Sequence, residues 1–492
     1  MAAAPVIATT PIRRPVVNYT PSMWADKFTS FSLDHQAQEK YSEEIEALKG
    51  EARSMLLMAK GKTTSEILVL IDTLERLGVG YHFSQEIEEQ LKVILNSVSE
   101  QDNEDLFTTA LRFRLLRQHR NYVPCSVFDK FKEEDNKFKE TLNSDAKGLL
   151  SLYEAAHLRI HGEEILDKAV AFTVHHLKHM VQQLESPLQD QVKRALEQPL
   201  HRGVSYARNR VVEGHAWALS HHFEPQYSYA RDGVTKAIQM LTVLDDTYDN
   251  YATIEESDLF TKIMDRWNID DIDQLPDYMK AIYKCVLRIY DDYEYDAAKQ
   301  GKLFAVPYAK KTIKDICRAY NKGHKWCMGG PMPSFDNYIA NTTITSCLYV
   351  LCSTTIPGMK SVSNETVDWL RNEPEIVKAS AKVCRYLDDL GSFERESNSG
   401  QMRTGPDFYM KQYGTSMEET TDKFIELTED AWKDLNKEWM TTNSIPEDML
   451  EQILGYARAA DFFYRSGQDG YTKTEVLVPH IVALFVDPII II

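Results

Sequence analysis

No stretch of the chain alternates polar and apolar residues long enough to build a sheet. Cysteine is scarce: there are seven in 492 residues, an odd number without a CxxC pair. That excludes a disulfide framework and points to reduced thiols in an intracellular protein. Positive charge is also short, with 56 Lys and Arg against 74 Asp and Glu, and the net charge of −18 disfavours a nucleic-acid or anionic-membrane surface. The apolar C-terminal stretch 476–492 is interrupted by Pro479, His480, Asp487 and Pro488. It falls short of the about 20 apolar residues that a membrane span requires. Internal repeats and low-complexity tracts are absent.

What is present is helical periodicity. Ile67, Leu70, Ile71, Leu74 and Leu77 recur at helical spacing and stop at Gly78, a C-cap residue. Similar runs are expected at about 104–118, 164–184 and 192–200, with Pro and Gly punctuating them. The fold class is therefore all-α, and the length allows two or three domains. The expected boundary lies at Leu200–Val204, giving domains 1–200 and 201–492.

An apolar run (Ala237, Ile238, Met240, Leu241, Val243, Leu244) leads straight into Asp245-Asp246-Thr247-Tyr248-Asp249. Residues four apart share a helix face, so Asp245 and Asp249 can point at one spot. Acids at the end of a helix face the negative end of its dipole, a conflict that a cation would remove. Two readings stand at this point: a solvated helix tip and a metal site. Asp270-Asp271-Ile272-Asp273, and Asp291-Asp292 with Glu294 and Asp296, follow no comparable apolar run and read as surface.

Further on, Asp388, Ser392 and Glu396 stand at i, i+4 and i+8, one stripe roughly 12 Å long on a helix. Helical side chains lean toward the N-terminus, so the longer Glu396 reaches back toward Ser392. Three oxygen donors suit Mg²⁺ or Mn²⁺ rather than zinc. Arg385, one turn earlier, can hold an anion beside the metal. Arg208-Asn209-Arg210 supplies two fork-shaped cations that suit a phosphate, although an Arg pair alone also reads as a solvated face.

Together these residues resemble those of plant class I terpene synthases of the sesquiterpene type. Asp245–Asp249 resembles the aspartate-rich DDxxD motif, Asp388–Glu396 the second metal motif (N/D)Dxx(S/T)xxxE, and Arg208–Arg210 the RxR motif. The opening also matches, with Arg14-Pro15, Asn18-Tyr19, Pro21-Ser22, Trp24, Asp26 and Phe28. So do the segments 71–78, 111–119, Phe223–Tyr227 and Asp469-Gly470-Tyr471-Thr472. The resemblance implies an N-terminal α-barrel relic and a C-terminal class I bundle. It further implies three Mg²⁺ ions, with Mn²⁺ as a substitute, held by Asp245 and Asp249 on one wall and by Asp388, Ser392 and Glu396 on the other. Asp246 would support the first wall, and Arg208, Arg210 and Arg385 would bind the departing diphosphate. Trp217 would supply an aromatic face to a carbocation, and Asp469 and Tyr471 would belong to a loop that closes the site. The Thr342-Thr343 and Thr345-Ser346 pairs either break a helix and aim carbonyls at the cation, or bond back to their own helix. The expected enzyme is cytoplasmic and acts as a monomer on a prenyl diphosphate, because Arg14 and Trp24 leave no room for a long leader.

Two departures accompany the resemblance. The join Val204-Ser205-Tyr206-Ala207-Arg208 omits about 50 to 60 residues of family sequence, the length of two long helices with their connections. Ser397-Asn398-Ser399 occupies positions where the family often carries basic residues near the diphosphate, leaving Arg395 or Arg403 to compensate. The DxDD motif of protonation-initiated cyclases is absent. The leading expectation is a Mg²⁺-dependent sesquiterpene synthase acting on farnesyl diphosphate. The alternatives are an inactive homologue or splice product, and a chain-elongating prenyltransferase, against which the Asp-Ser-Glu form of the second motif speaks.

Overall fold

A computed structural model of the chain describes Trp24 and residues 35–57, 62–97, 104–133, 137–180, 207–208, 210–399 and 404–485. Among them helices dominate, no strand forms, and one isolated antiparallel bridge joins Lys132 to Phe138. The periodic runs fold as helices Thr64–Arg76, Leu106–Gln118 and Glu164–Met180. The first is fixed by a capping box between Thr63 and Glu66 and ends before Gly78, whose φ of 70° suits glycine. The expected helix at 192–200, the boundary at Leu200–Val204 and the short join at Val204-Ser205 lie outside the described residues.

The chain forms two compact units. One comprises residues 26–197 and 433–443, the other 1–25, 198–432 and 444–492. Besides the main division at 197/198, two short segments join the unit to which their side chains bond. Asn436 donates to the His157 carbonyl at 3.0 Å, and the Trp439 indole donates to that of Gln118 at 3.2 Å. Trp24 is buried, and its indole N–H donates to the Glu213 carboxylate at 2.9 Å.

The core of the 26–197 unit combines Ile67, Leu68, Ile71, Phe83, Leu91, Phe113 and Leu152. Its buried charges are paired, as burial requires: Arg117 donates to Glu163 at 2.7 Å and to the Leu158 carbonyl at 2.8 Å.

In the other unit three elements matter most. Helix Ser228–Asn250 buries Ala237, Ile238, Leu241 and Leu244 and ends just after the aspartate cluster. Helix Glu375–Ser399 carries the second acidic stripe. Between them in sequence, helix Phe335–Thr345 stops, Cys347 turns through a φ of 71°, and helix Leu348–Thr354 resumes. The segment Phe335–Gly358 is long and apolar enough to cross a membrane, but 72% of its apolar window is buried within the fold.

Candidate active site

Helix Ser228–Asn250 ends at the point where the acids need a partner, so Asp245 and Asp249 sit in its last turns and line a cavity of about 220 Å³. Asp388 and Glu396 of helix Glu375–Ser399 line the same cavity, together with Arg208, Arg385 and Arg395. Burial pushes Asp245 up to about 6, against the opposing pull of Arg208. Asp249 is held well above the usual carboxylate range, first by burial and then by Asp245 and Glu396. Asp388 and Glu396 are raised by burial as well, with Arg385 and Arg395 respectively as the largest opposing charges. Among the described residues no three Asp, Glu, His or Cys side chains converge on a single point. The acids instead stand in two rows that feel each other's charge, Asp245 with Asp388 and Asp249 with Glu396.

Of the remaining residues of the two motifs, Asp246 and Ser392 stand behind these rows, and Asp389 lines the cavity beside Asp388. Asp246 is fully buried and accepts from the Arg208 backbone amide at 2.7 Å and from Asn250 at 3.1 Å. Asp389 accepts from the Tyr338 hydroxyl at 3.0 Å and pairs with Arg385 at 2.9 Å, while burial pushes it up to about 7. Arg385 also pairs with Asp388. Ser392 is buried and does not line the cavity.

The arginine pair divides its work. Arg208 reaches Asp245 at 2.7 Å and the Thr472 hydroxyl at 3.1 Å and faces the cavity. Arg210 does not: it is almost fully buried, and its guanidinium donates to the carbonyls of Tyr471 at 2.7 Å and Thr472 at 2.9 Å. Two carbonyls opposite a fork-shaped cation use its donors where a diphosphate was expected. Asp469 lies behind the lining and accepts from the Thr472 amide at 2.8 Å and from Arg395 at 2.9 Å. Tyr471 lines the cavity, and its hydroxyl bonds Thr242 at 2.7 Å.

Trp217 lies on the wall as expected, 4.6 Å from the Phe463 ring and edge-on to Tyr471 at 6.1 Å. Tyr320, Trp326, Tyr338, Phe408, Tyr456 and Tyr464 complete an aromatic lining that sequence reading did not single out. The Thr pair bonds back to its own helix, and the helix breaks as well. Thr342 and Thr343 bond the carbonyls of Tyr338 at 3.0 Å and Ile339 at 2.7 Å, and the helix nevertheless breaks two residues later. Tyr456 donates its hydroxyl to the Ser346 carbonyl exposed by that break. Of the other acidic groups, Asp270, Asp291 and Asp292 are exposed, and Asp271, Glu294 and Asp296 are half-buried, none of them in the cavity.

Residues 23–196 match the terpene synthase N-terminal domain, and residues 197–434 match the family described as "Terpene synthase family, metal binding domain". The chain belongs to the terpene synthase family. It is 45% identical to the gamma-cadinene synthase of Ocimum basilicum, with 98% of each chain covered. It is 43% identical to the tau-cadinol synthase of Lavandula angustifolia, covering 97% of this chain and 98% of that one. Among solved structures, isoprene synthase of grey poplar (Populus x canescens), in complex with three Mg²⁺ ions and dimethylallyl-S-thiolodiphosphate, superimposes with a TM-score of 0.84 at 29% identity. That likeness covers 92% of this terpene synthase and 97% of the poplar chain. The alignment with the Ocimum enzyme runs over 539 residues, more than the 492 available here, so part of that relative has no counterpart in this chain.

Proposed function

We propose that this terpene synthase is a cytosolic, monomeric sesquiterpene synthase that ionises farnesyl diphosphate and cyclises the resulting carbocation with release of diphosphate. The observation that carries the reading is two rows of carboxylates, interleaved with arginines, in a cavity whose lining also includes several aromatic rings.

The donor set fits Mg²⁺. Asp245, Asp249, Asp388 and Glu396 offer only oxygen, and their crowding in a buried site leaves negative charge that Arg208, Arg385 and Arg395 offset only in part. Mg²⁺ binds through one or two carboxylates and completes its shell with substrate phosphates, so two separated rows suit it where one tight cluster would not. When bound, the ions would neutralise the charge that develops on the leaving diphosphate.

The residues divide the remaining work. Arg208 and Arg385 would bind and orient the diphosphate, each already placed between two carboxylates. Asp246 from behind and Asp389 from the cavity wall position those arginines. Trp217 and the tyrosines present ring faces and no reactive nucleophile to the cation. Arg210, from its buried position, holds Tyr471 and Thr472 in place and so keeps water out.

A second reading, an inactive splice product, is favoured by the length of relative without a counterpart here. Gas chromatography of products from purified protein with Mg²⁺ and farnesyl, geranyl or geranylgeranyl diphosphate separates the two. Diphosphate release from farnesyl diphosphate alone, lost in Asp245→Ala, is expected. A well-folded preparation yielding no product with any of the three would leave the inactive reading standing. Turnover only in the presence of isopentenyl diphosphate would indicate chain elongation.

A further inference from the structure

Helix Glu375–Ser399 carries more than metal-motif residues toward the cavity. Arg395 stands one position before Glu396, and its Nη2 lies 2.9 Å from Glu396 Oε1 and 2.9 Å from Asp469 Oδ2. Those carboxylates come from different elements, the helix and the segment after residue 467. Asp469 is buried, and its other oxygen accepts the Thr472 amide. Burial alone would raise its pKa, yet Arg395 and the bonds from Thr472 hold it below the usual carboxylate range.

The backbone makes room for this pairing. One turn before Arg395, Gly391 meets the 468–469 backbone so closely that a Cβ there would stand 2.8 Å from the Gln468 carbonyl oxygen. A glycine that admits the segment and an arginine that grips it, four residues apart, share one helix face. Positions 397–399 hold Ser, Asn and Ser and no basic side chain, and among the described residues Arg395 is the cation of this helix end that lines the cavity.

We propose that Arg395 is the positioning residue that latches the 469–472 segment onto the Glu396 row, so that closing the cavity and occupying that row are coupled. The proposal rests on the prenyl diphosphate reading of the site. When Glu396 engages a cation, the guanidinium keeps Asp469 as its partner and turns remaining donors toward the diphosphate. With Arg395 absent, Asp469 and Glu396 would face each other without the charge between them, and the segment would open.

The test uses Arg395→Ala and Arg395→Lys in the full chain. Without metal or substrate, hydrogen exchange of a peptide spanning 466–477 is expected to accelerate on the order of 10-fold in Arg395→Ala, with the rest of the unit unchanged. With Mg²⁺ and farnesyl diphosphate, kcat/KM is expected to fall about 10–100-fold, the usual cost of losing a residue that orients a ligand. The share of water-quenched alcohol among the products should rise. Arg395→Lys, a point charge in place of a fork, should recover part of both effects. Exchange at 466–477 equal to wild type, with an unchanged alcohol share, would overturn the latch. So would exchange that rises throughout the unit, which marks a general loss of structure. A wild-type chain inert toward every prenyl diphosphate would overturn the functional reading alone, because the exchange experiment still decides whether Arg395 holds the segment.

Discussion

Trp217 shows how a single side chain is committed to the cavity. Among the described residues its buried indole N–H meets no acceptor, so the site uses the ring and not the donor. A ring face over a desolvated cation contributes about 2 kcal/mol, which corresponds to roughly 30-fold in rate. Trp217→Phe is therefore expected to retain most turnover of farnesyl diphosphate, whereas Trp217→Ala loses about 30-fold in kcat and releases more acyclic product. Equal rates in all three proteins would remove the aromatic wall from the mechanism. Away from the cavity, His221 and His222 set a pH limit. Burial pushes them down from 6.5 to about 3 and about 4, so the folded protein keeps both neutral. Between pH 6.5 and about 4 the unfolded chain binds more protons than the folded one, and stability falls as pH falls. Each ring contributes up to about 1.4 kcal/mol per pH unit in that window. Thermal melts at pH 7 and pH 5 should show the loss, and His221→Phe should show less of it.

At the scale of elements, backbone contacts matter more than propensity. A Cβ at position 391 would meet the Gln468 carbonyl oxygen at 2.8 Å, and neither backbone can yield as a flexible side chain would. Gly391→Ala is expected to displace the 468–472 segment while the helix itself gains stability, since alanine favours a helix by about 1 kcal/mol over glycine. An unchanged or higher melting temperature with a larger share of alcohol product would mark that outcome. A lower melting temperature with unchanged products would count against it. This contact also marks where sequence reading stopped. The acidic rows and Arg385 were legible because helical spacing puts them on faces that the structure brings to one cavity, whereas Arg208 and Trp217 were legible through the family resemblance. Tyr456, Tyr464 and Tyr338 were not, because local periodicity distinguishes a buried face from an exposed one but not a cavity wall from the core. Arg210 looked equivalent to Arg208 in sequence. Only the close return of the chain at Tyr471 and Thr472, some 260 positions away, gives it a different partner. The two short segments that join the other compact unit carry no compositional signal either, since Trp24 and Trp439 are ordinary apolar residues until their indole partners are known.

At the scale of the whole molecule, the decisive quantity is the stretch of relative for which this chain has no residues. Two long helices removed next to helix Val211–His221 would leave apolar side chains without cover, and such side chains are present. Val211 is 51% exposed, Leu484 59% and Phe462 39%. Near them in sequence, His215 packs on Phe485 at 5.8 Å, and Phe462 itself packs on His480 at 5.1 Å. Exposed apolar surface of this kind, where it forms a patch, is a liability for solubility. A chimera that inserts the corresponding residues of the Ocimum enzyme between Val204 and Ser205 is therefore expected to bind less of a hydrophobic dye and to melt several degrees higher. Burying roughly 100 Å² of that surface contributes about 2.5 kcal/mol. Because Asp245, Asp249, Asp388 and Glu396 already line one cavity in the short chain, the metal dependence of turnover should be the same in both proteins. Dye binding and melting temperature that do not respond to the insertion would mean that these apolar residues owe their exposure to something other than the short join.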